Sequence, residues 1–181
     1  GPRNRKREKE IAAELTRCVL EREDKVRILD ADALNIIAAE HIDYKGSSEG
    51  KIIITPHIME MSRLTGKTVA DIKEHMIESA KEYAIQHSCI CILKDARTVV
   101  TDGQKVYINC TGNDGMSTGG CGDVLTGLIA GMTAMGLDAF EAACLSVYVH
   151  GKAGDYAAAG KGRAGMTAAD ISEAIAYVLK R

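Results

Sequence analysis

Short apolar runs that stop at a charged or kinked residue alternate along this chain with longer stretches whose apolar residues recur every three to four positions. Val26-Arg27-Ile28-Leu29 stops at Asp30, after which Ala31-Asp32-Ala33-Leu34-Asn35 turns helical, so a strand runs into a helix. Lys51-Ile52-Ile53-Ile54 stops at Thr55-Pro56-His57, because Pro56 keeps Thr55 extended and removes a ladder donor. The polar stretch 41–50 between these strands, with Gly46-Ser47-Ser48, reads as a loop. Thr68-Val69-Ala70-Asp71 predicts a capping box, and Ile72, Met76, Ile77 and Ala80 carry one helix from it to about Tyr83. Residues 89–94 and 98–101 are extended, and Asp102-Gly103 predicts a type I′ turn into Lys105-Val106-Tyr107-Ile108, a β-hairpin. From 123 to 135 and from 139 to 157 apolar residues fill nearly every face, as on helices packed against a sheet. Thr167, with Asp170 three residues on, caps a last helix, and the mixed-charge run 3–10 leads through Ile11, Leu15 and Val19 into a first one with a solvated start.

Strands that alternate with helices imply an α/β sheet covered on both faces, with ligands beyond the carboxyl ends of the strands. Asp30, His57 and Lys94 all fall at such ends. Each also has an ordinary structural use, Asp30 as a helix cap and Lys94 as a solvated strand end. At 181 residues and 46% hydrophobic content the chain is one domain or a large part of one. Its 23 basic and 25 acidic residues leave a charge of −2 without a long block of either sign, which argues against nucleic-acid and membrane partners. None of the six cysteines forms a C-x-x-C pair, so metal fingers are excluded, and Cys89 and Cys91 read as small buried hydrophobes of a reducing cytoplasm. No apolar run approaches the roughly 20 residues of a membrane span, and no signal-peptide core is present.

The segment 109–132 carries the most chemistry. Asn109-Cys110-Thr111-Gly112-Asn113-Asp114-Gly115-Met116-Ser117-Thr118-Gly119-Gly120-Cys121-Gly122-Asp123 follows a strand and opens an apolar helix. Glycines let backbone N–H groups converge on one anion, and a helix start adds about half a positive charge, the ingredients of a phosphate cradle. Asp123, in the first turn, is placed either to accept a proton from a hydroxyl attacking a phosphoryl group or merely to favour the helix start. No P-loop is present. Gly160-x-Gly162-x-x-Gly165 fits the dinucleotide fingerprint in letters alone, since it follows an alanine-rich helix rather than a strand. His150, amid Val147, Val149 and Ala153, reads as a buried histidine with its hydrogen bonds satisfied.

Taken together, Asp30 through Asn35, Thr55-Pro56-His57 with Glu60, Lys94 through Thr98, and the long segment 109–131 resemble, in order and spacing, the signature segments of the ADP/ATP-dependent NAD(P)H-hydrate dehydratases of the ribokinase-like superfamily. The resemblance implies a three-layer α/β/α sandwich with a mostly parallel central sheet. It also implies a hydro-lyase of cofactor repair, which phosphorylates the hydroxyl of hydrated NADH or NADPH and eliminates phosphate to restore the working cofactor. Carried over by position, Asp123 is the catalytic carboxylate and a substrate contact, His57 and Asn113 are substrate contacts, and Lys94, Asp95, Ala96, Arg97, Thr98, Gly120 and Gly122 line the adenine-nucleotide site. ADP or ATP is the implied phosphoryl donor with Mg²⁺ as its companion, the ligands of the ion not being assigned. A homo-oligomer, a tetramer, and an epimerase domain upstream in the full-length protein are implied as partners. The chain departs from the family at Ile58-Met59, where small residues are usual, at Cys110 and Asp114, where proline is common, and at Asp95, where a carboxylate replaces glycine beside a phosphate or ribose. Residues 1–181 correspond to the carboxyl-terminal part of the domain, the amino-terminal portion with its strands and part of the substrate pocket being missing, and Gly1-Pro2 fits either the family's own turn or a tag-removal scar. A thiazole or hydroxymethylpyrimidine kinase of the same superfamily, or a truncated nucleotide-binding module without catalysis, are the competing readings.

Overall fold

The computed structural model describes residues 2–47 and 51–180, so Gly1, residues 48–50 of the 41–50 loop, Ser48 of the expected loop motif among them, and Arg181 lie outside it. The elements follow as α1 (Pro2–Leu20), β1 (Arg27–Leu29), α2 (Asp32–Glu40), β2 (Ile52–Ile54), α3 (Ile58–Thr65), α4 (Val69–Glu74), α5 (Met76–His87), β3 (Ile90–Leu93), β4 (Val99–Thr101), β5 (Val106–Ile108), α6 (Cys121–Ala134), α7 (Ala139–Lys161) and α8 (Ala168–Leu179), with one 3-10 turn at Asp114–Met116. All five apolar runs become strands and pair in the order β1-β2-β3-β4-β5.

Alternation along each strand divides the side chains between two layers of helices. Leu29, Ile52, Ile54, Cys91, Leu93 and Val99 face one cluster with Leu34, Ile37, Met61, Ile72, Ala80 and Tyr83 from α2 to α5. Ile53, Ile90, Ile92 and Val100 face the other, against Leu125, Ile129, Ala143 and Val147 of α6 and α7. Burying each of the Leu, Ile, Val and Met side chains fully contributes roughly 1.5–3 kcal/mol, so the short central strands carry much of the stability. The expected α/β/α sandwich is present.

The sheet is parallel over its first three strands and closes with an antiparallel hairpin, so it is mixed as a whole. β1, β2 and β3 are parallel, but β3 pairs antiparallel with β4 and β4 with β5, making two pairings of each kind. Parallel neighbours need a crossover of a dozen or more residues, which α2 and α3–α5 provide, whereas β3, β4 and β5 are joined by turns too short for one.

Local differences have identifiable causes. Thr101 pairs with Val106, so the hairpin loop has four residues, 102 to 105, and not the two of a type I′ turn. Gly103 takes φ 94° while Asp102 does not adopt positive φ, and the Asp102 carboxylate accepts the N–H groups of Gln104 at 2.9 Å and Lys105 at 2.7 Å, an Asx arrangement that holds the wider turn. The single helix expected from Thr68 breaks at His75, whose φ −125° and ψ 49° end α4 and start α5. Thr68 Oγ1 accepts the Asp71 N–H at 3.2 Å, one half of the expected capping box. On α1 the stripe Ile11, Leu15 and Val19 faces outward, because Ala13 and Thr16 on the opposite side are the residues buried.

Candidate active site

β1, β2 and β3 end side by side, and the residues just past them meet. Between β1 and α2, Ala31 adopts φ 49° and ψ −114°, a conformation costing on the order of 1–3 kcal/mol for a non-glycine residue, of the kind that concentrates at functional sites. It follows directly on Asp30. β2 is prolonged by a single parallel bridge between His57 and Lys94, with the Lys94 N–H donating to the Pro56 carbonyl at 2.8 Å. Lys94 Nζ then donates to Asp30 Oδ1 at 3.0 Å, and Thr126 Oγ1 of α6 donates to Asp30 Oδ2 at 2.9 Å. Burial pushes the Asp30 carboxyl up, but the Lys94 ammonium and the hydrogen bonds from Thr55, Lys94 and Thr126 outweigh it and hold the group below the usual carboxylate range.

The first turn of α6 lies over this pair. A Cβ built on Gly122 would stand 3.6 Å from both Asp30 Oδ2 and Lys94 Nζ, ordinary van der Waals contact, which places the helix start directly over the pair. Gly120, the N-cap, takes φ 89° in the left-handed region. Among the described residues the backbone N–H groups of Gly119, Gly120, Gly122 and Asp123 have no acceptor within the protein. These are the orphan donors of a helix start, and they form the floor expected of an anion cradle. Since Asp30 neutralises Lys94, the attraction for an anion here comes chiefly from oriented amides and the helix dipole.

Asp123 sits three residues after the N-cap, exposed and without a hydrogen-bond partner among the described residues. His57 caps α3. Its Nδ1 accepts the Glu60 N–H at 3.1 Å, its own N–H donates to Glu60 Oε2 at 2.8 Å, and its Nε2 lies 3.4 Å from Glu60 Oε1. A ring nitrogen that accepts carries no proton, so the neutral tautomer is protonated at Nε2. Glu60 is buried, whereas the His57 ring is half exposed at the cleft.

Asp95, Ala96 and Arg97 form an exposed turn between β3 and β4, closed by Thr98 Oγ1 against the Asp95 carbonyl at 3.5 Å. They stand at the rim near Lys94. The Asn113 side chain is engaged within the protein at both ends, Oδ1 accepting from the Gly115 N–H and Nδ2 donating to Asp155 Oδ1, each at 3.1 Å.

Sequence reasoning passed over Thr126, which secures Asp30; its place four residues after Gly122, on the same helix face, was the available signal. His150 differs from expectation. It is buried, but its Nε2 has no hydrogen-bond partner among the described residues. Burial above all, with the Lys94 ammonium acting in the same direction, lowers it to about 4, leaving a neutral imidazole beneath the start of α6. A cavity of about 580 Å³ lies away from these residues, at the opposite end of the sheet beside Ile52, Ile90, Lys105 and Phe140.

An α/β/α sandwich with a glycine-rich helix start at the carboxyl ends of its parallel strands is the arrangement of ribokinase-like proteins. A ribokinase-like superfamily protein from Enterococcus faecalis superposes with a TM-score of 0.80 at 25% identity, covering 92% of this chain and 57% of that one. The chain belongs to the NAD(P)H-hydrate dehydratase family, whose profile matches residues 6–177. It is 46% identical over 169 residues to a bifunctional NAD(P)H-hydrate repair enzyme of Moorella thermoacetica, covering 92% of this chain and 32% of that protein. It is 35% identical to an ADP-dependent (S)-NAD(P)H-hydrate dehydratase of Neisseria meningitidis, covering 89% of this chain and 55% of the relative. A Bacillus subtilis ADP/ATP-dependent NAD(P)H-hydrate dehydratase co-crystallized with ATP and Mg²⁺ superposes with a TM-score of 0.79 at 33% identity, covering 88% of this chain and 56% of that chain. The chain thus spans about a third to just over half the length of these relatives.

Proposed function

We propose that this protein, as the carboxyl-terminal part of a longer dehydratase domain, converts hydrated NADH and NADPH back to NADH and NADPH with ADP or ATP as phosphoryl donor. The observation that carries the reading is the pairing of a free carboxylate, Asp123, with the unpaired amides of the same helix start. In this reading nucleotide phosphates rest on the amides of Gly119, Gly120, Gly122 and Asp123, with Lys94 through Thr98 at the nucleotide's rim. Asp123 takes the proton of the substrate hydroxyl as its oxygen attacks the terminal phosphorus; the ring nitrogen then expels phosphate and a carbon-bound proton leaves, restoring the dihydronicotinamide. His57 borders the substrate side, and Asn113 acts through the loop that carries the cradle.

A Mg²⁺ ion fits this site only as a companion of the nucleotide. The described residues gather no group of three or more metal-ligating side chains, and Asp30 is already engaged, which suits an ion held mainly by phosphate oxygens with at most one carboxylate. Bound there, it would neutralise charge on the transferred group. No helix among the described residues is long and apolar enough to cross a membrane; action in the cytoplasm, as a homo-oligomer of the tetrameric kind and with an epimerase domain upstream, completes the reading.

The test is to incubate the full-length polypeptide with hydrated NADH and ADP or ATP and follow the return of dihydronicotinamide absorbance. Asp123→Asn should slow that return by about 10²–10⁴-fold, the usual contribution of a positioned general base. Accumulation of a stable phosphorylated product without absorbance recovery would instead establish a small-molecule kinase, and an undiminished Asp123→Asn rate would remove the carboxylate from the chemistry.

A further inference from the structure

The loop between β5 and α6 is held in place by one face of α7. Tyr148, Gly151, Gly154 and Asp155 fall along that face within eight residues, a track about 10 Å long at the helical rise. The Tyr148 carbonyl accepts the Thr111 hydroxyl at 3.1 Å. Above Gly151 the loop backbone lies in direct contact, for a Cβ there would come within 2.2 Å of Thr111 Oγ1 and 2.7 Å of its carbonyl carbon. Above Gly154 lies the Met116 side chain, whose Sδ would be 2.3 Å from an added Cβ. Asp155 completes the track, Oδ2 accepting the Gly112 N–H and Oδ1 the Asn113 amide, both at 3.1 Å. Asn113 passes the restraint onward by accepting the Gly115 N–H, at the 3-10 turn that leads through Ser117 and Thr118 to the cradle.

We propose that Asp155 is a positioning residue, the fixed end of a clamp by which α7 sets the loop and, through it, the phosphate cradle at Gly119, Gly120 and Gly122. Both of its oxygens face donors from two successive loop residues, so it fixes the direction of the chain as well as its position. Asn113 is the matching half of the clamp, which accounts for a side chain with both ends engaged inside the protein. The consequence for the nucleotide rests on the function proposed above; the mechanical part does not.

Asp155→Asn preserves shape but turns an N–H₂ group against another donor, so one of the two bonds is lost. Amide hydrogen exchange at Gly112, Gly115 and Met116 should then speed by about tenfold or more, and ADP affinity, read by calorimetry on the full-length polypeptide, should weaken about tenfold, with KM for ADP rising more than KM for hydrated NADH. The exchanged pair Asn113→Asp with Asp155→Asn faces every donor with an acceptor again and should restore loop protection to within about twofold of wild type. Wild-type exchange rates in the single variant, or no recovery in the exchanged pair, would overturn the clamp; a loosened loop with unchanged ADP affinity would overturn its link to the cradle. Failure of the wild-type protein to bind ADP would count against the proposed function and leave the exchange measurement to decide the clamp.

Discussion

Replacing Asp30 by asparagine isolates the ion pair beneath the α6 helix start. The amide oxygen can still accept from Thr126, but its nitrogen then stands where Lys94 Nζ lies 3.0 Å away, donor against donor. The side chains of Asp30 and Lys94 are 12% and 23% exposed, so water replaces the lost partner poorly. A hydrogen bond between charged groups contributes about 1.5–3 kcal/mol, and about 2 kcal/mol is the expected loss here. With an unfolding entropy near 2.1 cal/mol/K per residue, a chain of this size loses about 5 °C in Tm for that change. Calorimetry of the wild type, Asp30→Asn, Lys94→Met and the double variant should give a coupling of about 1–2 kcal/mol. Acid titration adds a signed test. Because the folded Asp30 carboxyl lies below its ordinary value of 3.8, the pair's contribution is fully present above that value and is lost as pH falls through the lower, folded one. The asparagine variant should therefore show a shallower acid limb. A Tm within about 1 °C of wild type, together with no measurable coupling, would show that Asp30 and Lys94 do not restrain each other in solution.

Two further outcomes follow from burial. His150, lowered to about 4 from 6.5, makes the unfolded chain the better proton binder in that interval, so stability should fall as pH drops from 6.5 toward 4, by on the order of 3 kcal/mol at most, and His150→Gln should flatten that slope in urea titrations at stepped pH. Ile92→Ala, at a fully buried position of the central strand, should cost about 2–5 kcal/mol and lower the urea midpoint without changing the slope of the transition; a loss under about 1 kcal/mol would mean that the layer of α6 and α7 closes over the gap.

The strands were legible because each is a short apolar run ending at a residue that cannot continue it, and such endings carry their own information. In a sheet whose first three strands are parallel, the residues after those strands emerge at one edge, so Asp30, His57 and Lys94 were bound to be neighbours once the strands were recognised. The break at His75 was not legible, since Ile72, Met76, Ile77 and Ala80 fit one helix as well as two and neither glycine nor proline marks the join. The hairpin loop was misjudged because Asp102-Gly103 satisfies two turn chemistries, and the choice was made by the register of β4 with β5. Asp155 and Gly154 lie more than thirty residues from the loop they hold, in a stretch rich in alanine and glycine, where local pattern reports only close helix packing.

Carboxylates were the hardest residues to sort, and geometry separates them by what their oxygens already do. Asp30, Asp123 and Asp155 all stand beside the same glycine-rich segment, and from residue type alone each is fit to take a proton. Asp30 has one oxygen on an ammonium and the other on a hydroxyl, so its electron pairs are committed and its affinity for a proton is reduced. Asp155 is likewise committed, to an amide and a backbone N–H. Asp123 alone among the three meets no donor within the described residues, and it projects from the helix start whose amides are also unclaimed. A base must reach the substrate's proton with an unoccupied oxygen, while an anchor must not be displaced when substrate arrives. In the proposed mechanism the division follows from hydrogen-bond saturation: Asp30 and Asp155, whose oxygens are taken, hold the helix start and its loop, and Asp123, whose oxygens meet no donor among the described residues, is the one proposed to act.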